Sequence, residues 1–164
     1  MYKITRPRAF LLLGCAFLIH MTLLDRAGLF GSKPDLVFSL VVFFSLFANR
    51  RLAIEAGVLS GLLKDIFSSG RFGLHLVILS SVAAVLNKIA PRLYRESKFA
   101  QGVSTAAAYI LASGAYRAFA SFEGLSLSSG MGWIIPDAVY TTVVSVLIFQ
   151  GLMEYFRVAD RLLL

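Results

Sequence analysis

Apolar residues fall in six stretches, at roughly 9–24, 35–48, 52–69, 72–90, 100–122 and 133–156, with short polar links between them. A helix needs about 20 residues to cross a bilayer, within a range of about 17–25. The third to sixth stretches meet that length and predict four transmembrane helices. The first is slightly short. The second, "DLVFSLVVFFSLFA", is shorter still. It either borrows "AGLF" upstream to cross or turns back inside the membrane.

Basic residues decide between those two routes. With six spans and the N-terminus inside, eleven fall on the inner side: Lys3, Arg6, Arg8, Arg50, Arg51, Lys88, Arg92, Arg95, Lys98, Arg157 and Arg161. The outer links hold three, Arg26, Lys33 and Arg71, while Lys64 and Arg117 lie within spans. Inner loops of membrane proteins carry the excess of Lys and Arg, so the split favours six crossings. A re-entrant pair made of stretches two and three would strand Arg50 and Arg51 outside or at mid-membrane. The expected fold is therefore an all-α integral membrane protein. Residues 1–164 form one transmembrane domain, a bundle of about six helices with both termini cytoplasmic.

Composition agrees with that class. Hydrophobic residues make up 58% of the chain and charged ones 15%, against about 45–50% and 25% in soluble domains. The excess of base, 16 Lys and Arg against 9 Asp and Glu, fits topology and anionic lipid better than nucleic acid. The lone Cys15 excludes an intrachain disulfide and a Cys-rich metal site. "LLGC" has a faint look of a lipoprotein cleavage site, but only Ala9 to Leu13 precede the Cys as an apolar run. An uncleaved first helix is expected.

The informative charges sit in the third stretch, "LAIEAGVLSGLLKDIFSS". Ala53, Gly57, Gly61 and Asp65 follow one another at i+4 steps and share one helix face. Small residues on such a stripe admit a second helix at close range. That helix belongs either to the bundle or to a partner. Asp65 continues the stripe, so it faces protein, where a carboxylate avoids the cost of about 2.5–3.5 kcal/mol that lipid would impose. Lys64 points about 100° away and is expected to reach outward to the headgroups. Glu55 is expected to pair with Arg51. His20, His75 and Arg117 lie at a similar outer depth, and Asp35 and Asp137 open their spans at the same surface. An outer polar network is expected, with Asp65 and either Arg117 or His75 at its core. Pro34 and Pro136 each precede an Asp, as suits a first helical turn. No metal-binding spacing of histidines, phosphate-cradling glycine loop or nucleophile motif occurs in the sequence. Catalytic, metal and cofactor sites are all expected to be absent.

"KPDLVFSLVVFFSLF" followed by "AGVLSGLLKDIFSSGRFGLH" resembles the MreD family of bacterial rod-shape-determining proteins. The matching positions are Pro34 and Asp35 at the second span, then Gly57, Gly61 and Asp65, then Ser69, Gly70 and Gly73, with Pro136 in the last span. The family commonly places an Asn soon after the late Pro, where this chain has Asp137. The resemblance implies a non-enzymatic plasma-membrane scaffold that works with an MreC-like single-span protein. Through it the chain would connect to MreB filaments, and to RodA and penicillin-binding protein 2 in peptidoglycan synthesis. It also implies a fold similar to the substrate-binding subunits of energy-coupling-factor transporters. A small-molecule-binding transport subunit is accordingly the alternative function.

Overall fold

The computed structural model describes residues 4–24, 34–68, 72–94, 97–121 and 134–162. Among them all regular structure is helical. The helices are α1 (Arg6–Ile19), α2 (Leu36–Phe47), α3 (Arg50–Phe67), α4 (Leu74–Ile89), α5 (Lys98–Ser121) and α6 (Ile134–Leu162). A π-helical turn, His20–Leu24, prolongs α1, and a 3-10 turn, Ala90–Arg92, prolongs α4. Ser69, Gly70 and the outer link "EGLSLSSGMG" lie outside the described residues.

Local chemistry sets the helix boundaries. The Asp35 carboxylate accepts from the Phe38 amide at 2.9 Å and caps α2. The Asn49 side chain accepts from the Leu52 amide at 2.9 Å and caps α3. Each cap satisfies one of the orphan amides of a first turn. Only Ala48 and Asn49 separate α2 from α3. At the same corner the Asn87 amide of α4 donates to the carbonyls of Ser45 (2.9 Å) and Ala48 (3.2 Å). The C-terminal end of α2 is thus closed by a neighbouring helix. Pro34 stands just before the cap, outside α2, whereas Pro136 lies within the first turn of α6. The two Pro-Asp pairs therefore begin their helices one in each way.

α2 forms the centre of the bundle. Every residue from Val37 to Ala48 is buried, because "LVFSLVVFFSLF" is apolar on all faces and has no side to give to water. α1, α3, α4, α5 and α6 all pack against it. Its 12 residues reach about 18 Å at 1.5 Å per residue, well short of a hydrocarbon core of about 30 Å. A helix sheathed by protein can be that short, because its polar ends meet side chains and not lipid. Phe43 anchors the core, with ring centroids 5.0 Å from Phe47, 5.5 Å from Phe149 and 6.1 Å from Phe156.

The helices alternate in direction. The start of α1 meets the start of α3, where Arg6 Nη2 donates to Glu55 Oε1 at 2.8 Å. This replaces the expected Glu55–Arg51 pair, since packing of α1 brings a closer cation. The start of α2 meets the end of α3 and the start of α6, through Lys64 and Thr141. The start of α5 meets the second half of α6, where Gln150 donates to Gln101 at 3.2 Å.

The outer surface is apolar. Ile135, Val139, Val143 and Leu147 form an exposed stripe along α6, each at least half accessible. Leu11 and Leu18 on α1 and Phe99, Val103 and Leu111 on α5 are likewise exposed. Among the described residues, two helical segments, Leu74–Arg92 and Ile134–Val158, are long and apolar enough to cross a bilayer unaided. The sequence leads one to expect six crossings, four of them by stretches long enough on their own. α3 falls short because it carries Arg50, Arg51, Glu55, Lys64 and Asp65, and α5 because Gln101, Ser, Thr, Gly and Tyr residues and Arg117 dilute its apolar content.

Candidate outer polar site

The α3–α4 hairpin positions the site. No other pair of helices packs as extensively. A Cβ added at Gly57 would come within 2.8 Å of the Leu79 carbonyl and 2.9 Å of the Ala83 Cβ. One added at Gly61 would sit 2.7 Å from the His75 carbonyl and collide with Leu76. These approaches require glycine. The space beside Gly57 and Gly61 is filled by α4 of the same chain. Ala53, on the same stripe, is fully buried.

Asp65 closes this hairpin. Its Oδ2 accepts from the amides of Gly73 and Leu76, both at 2.9 Å. Its Oδ1 accepts from the His75 amide at 3.0 Å and lies 2.9 Å from His75 Nδ1. One carboxylate of α3 therefore caps the first turn of α4, where the helix dipole also favours negative charge. Gly73 sits at the start of that turn with φ 98°, a left-handed conformation that costs other residues about 1–2 kcal/mol. His75 in turn lies against Tyr116 of α5, with ring centroids 4.8 Å apart.

Lys64 does not reach outward. It forms an ion pair with Asp35, the cap of α2, and both side chains are largely buried. The expectation that it extends to the headgroups fails because Asp35 supplies a nearer anion. His20, in the π-turn after α1, is within electrostatic reach of Asp35. A polar seam continues inward from Asp35. Ser39 Oγ lies 2.8 Å from the Asp35 carbonyl and 2.6 Å from Ser145 Oγ, which lies 2.5 Å from the Thr141 carbonyl, and one of the two hydroxyls donates to the other. The Asp35 amide donates to Thr141 Oγ1 at 3.2 Å.

These groups border a cavity of ≈ 200 Å³ at the same end of the bundle. Asp35, Lys64, His75, Arg117 and Asp137 line it together with Tyr109 and Tyr116. Phe38 forms part of its wall, edge-on to Tyr109 at 5.3 Å. The structure thus gathers His75, Arg117, Lys64 and Asp35 around one space. Asp65 is joined to it through His75, and Arg117 is not among its hydrogen-bond partners. Gly70 is outside the described residues.

Tyr109, Tyr116, Asn87 and the Ser39–Ser145 contact escape the sequence reading. Asn87 had a usable signal, being an amide at the end of the apolar run "VAAVL". The tyrosines had none, since aromatic residues are common throughout the chain.

Comparison with protein families matches the chain to the family described as rod shape-determining protein MreD, over residues 6–157. No curated protein and no solved structure matches.

Proposed function

The chain belongs to the MreD family of rod shape-determining proteins, a family of membrane proteins, and on that premise we propose that it is a scaffold subunit of the bacterial cell-elongation complex. It crosses the plasma membrane six times, with both termini in the cytoplasm. It binds an MreC-like single-span partner, and through it couples MreB filaments to peptidoglycan synthesis by RodA and penicillin-binding protein 2.

The observation that best supports this reading is how the membrane-embedded charges are used. Asp65, Lys64, Asp35 and Glu55 each join one helix to another. Groups spent in this way hold a shape. The faces left outward are apolar stripes such as the one on α6, suited to lipid or to a neighbouring helix. The alternation of helix directions fits six crossings. The inner ends then collect Arg6, Arg50, Arg51, Lys88 and Arg92, in keeping with the positive-inside rule.

The test is complementation of a rod-shaped bacterium depleted of its own MreD. This chain is expected to restore rods, and Asp65→Leu to give low protein levels or rounded cells. Rods restored at full abundance by Asp65→Leu would contradict the structural role of the acid.

A further inference from the structure

At the end of the bundle opposite the cavity, cations converge on one corner and meet no acid. The Asn87 side chain ties the end of α4 to the Ser45 and Ala48 carbonyls, where α2 ends. Arg50 and Arg51 begin α3 just past Ala48, Lys88 follows Asn87, and Arg92 closes the 3-10 turn after α4. All four residues are exposed, and among the described residues none of them forms an ion pair. By contrast, Arg6 is paired with Glu55 and Arg157 with Glu154. The first turn of α3 holds no acid, so Arg50 and Arg51 stand uncompensated at the positive end of its dipole. The positive-inside preference counts basic residues in a link; it does not require them to converge from two helices on one corner.

The surface beside the cations narrows what would meet them. Val77, Ser81, Val85 and Ile89 follow one another along α4 at i+4 steps, and all are exposed. Lys88 and Arg92 lie three and seven residues after Val85, on the same face, so the apolar track runs directly into two of the charges. Asn87 is about 200° around the helix from Val85 and turns to α2 instead. The occupant that fits therefore has an anionic head and an apolar chain. A zwitterionic lipid would bring its own ammonium group against four cations. An acidic protein segment would meet the charges and leave the track uncovered.

We propose that this corner holds an anionic phospholipid, with its phosphate among Arg50, Arg51, Lys88 and Arg92 and an acyl chain along Val85 and Ile89. Basic clusters at the ends of membrane helices bind such headgroups by charge. The proposal requires that the chain is embedded in a membrane, which its family provides, and nothing of the scaffold reading. A chain that holds its protein partner but does not select anionic lipid keeps the one and loses the other.

The experiment titrates the purified full-length protein in detergent and reads binding by native mass spectrometry. The probes are phosphatidylglycerol, phosphatidylethanolamine of the same chain length, and a short oligoglutamate. Phosphatidylglycerol is expected to bind at least about tenfold tighter than phosphatidylethanolamine, and raising the ammonium acetate concentration should shrink that advantage. Arg51→Gln and Lys88→Gln should each weaken phosphatidylglycerol about fivefold, the usual share of one cation near a membrane surface, and leave phosphatidylethanolamine unchanged. Arg157→Gln removes the same charge from α6 and should leave phosphatidylglycerol within about twofold of the parent chain. If Arg51→Gln does not yield monodisperse protein, Lys88→Gln decides, since its side chain is exposed and unpaired. The proposal is overturned if the two lipids bind equally, if salt leaves the difference unchanged, or if the deciding variant binds undiminished. It is also overturned if Arg157→Gln weakens binding as much as the corner variants, which would mean diffuse attraction to the whole rim. Tighter binding of oligoglutamate than of phosphatidylglycerol would assign the corner to an acidic protein segment and overturn it as well.

Discussion

At the residue scale, Asp65 shows how a charge is kept inside an apolar segment. Four donors from one stretch of chain, residues 73–76, converge on its two oxygens. That it faces protein was legible from the i+4 stripe. Its partners were not, because three of the four donors are backbone amides, which side-chain spacing does not reveal. Asp65→Leu is expected to cost about 1–3 kcal/mol or more, since it leaves the amides of the first turn of α4 without their acceptor. Asp65→Asn should cost less, since it still offers one acceptor. Thermal unfolding in detergent ranks the two, and equal stability of Asp65→Leu and the parent chain would refute this account. The Lys64–Asp35 pair calls for a double-mutant cycle. Lys64→Met alone strands a carboxylate, so Lys64→Met with Asp35→Asn should be less destabilised than the sum of the single variants. Strict additivity would mean that the pair is incidental.

At the element scale, the α3–α4 hairpin was half legible. The small stripe announced a close helix but did not identify it. The identity comes from the turn, since the short link between α3 and α4 returns the chain directly onto the face that Gly57 and Gly61 leave bare. Gly61→Leu is therefore expected to destabilise the isolated protein, with a loss of monodisperse material in detergent. Val143→Leu, on the exposed stripe of α6, should change stability by no more than about 0.5 kcal/mol. If the first proves harmless, the packing described for α3 against α4 is wrong. α2 was harder to read. Its length argued against a full crossing, and its uniform apolarity gave no periodicity. Both features have one cause, burial on every side at the centre of the bundle. Ser39 and Ser145 offer a direct check of its contact with α6. Ser39→Cys and Ser145→Cys, placed together on a Cys15→Ser background, should form a disulfide on mild oxidation, because the two hydroxyl oxygens lie 2.6 Å apart.

At the scale of the whole molecule, the membrane class and the helix order were legible from hydrophobic patterning and charge. The outer cavity was not, because it draws on α2, α3, α4, α5 and α6, and no local pattern records that convergence. The central claim is that this chain serves as a membrane scaffold of the elongation complex. Co-purification tests it most directly. The full-length protein, tagged and extracted in mild detergent from cells that make it, is captured, and the retained proteins are identified by mass spectrometry. The account predicts that an MreC-like single-span protein is retained in near-stoichiometric amount, and that Asp65→Leu loses it together with the fold. Retention of transport ATPases in place of that partner would contradict the account and point to a transport subunit.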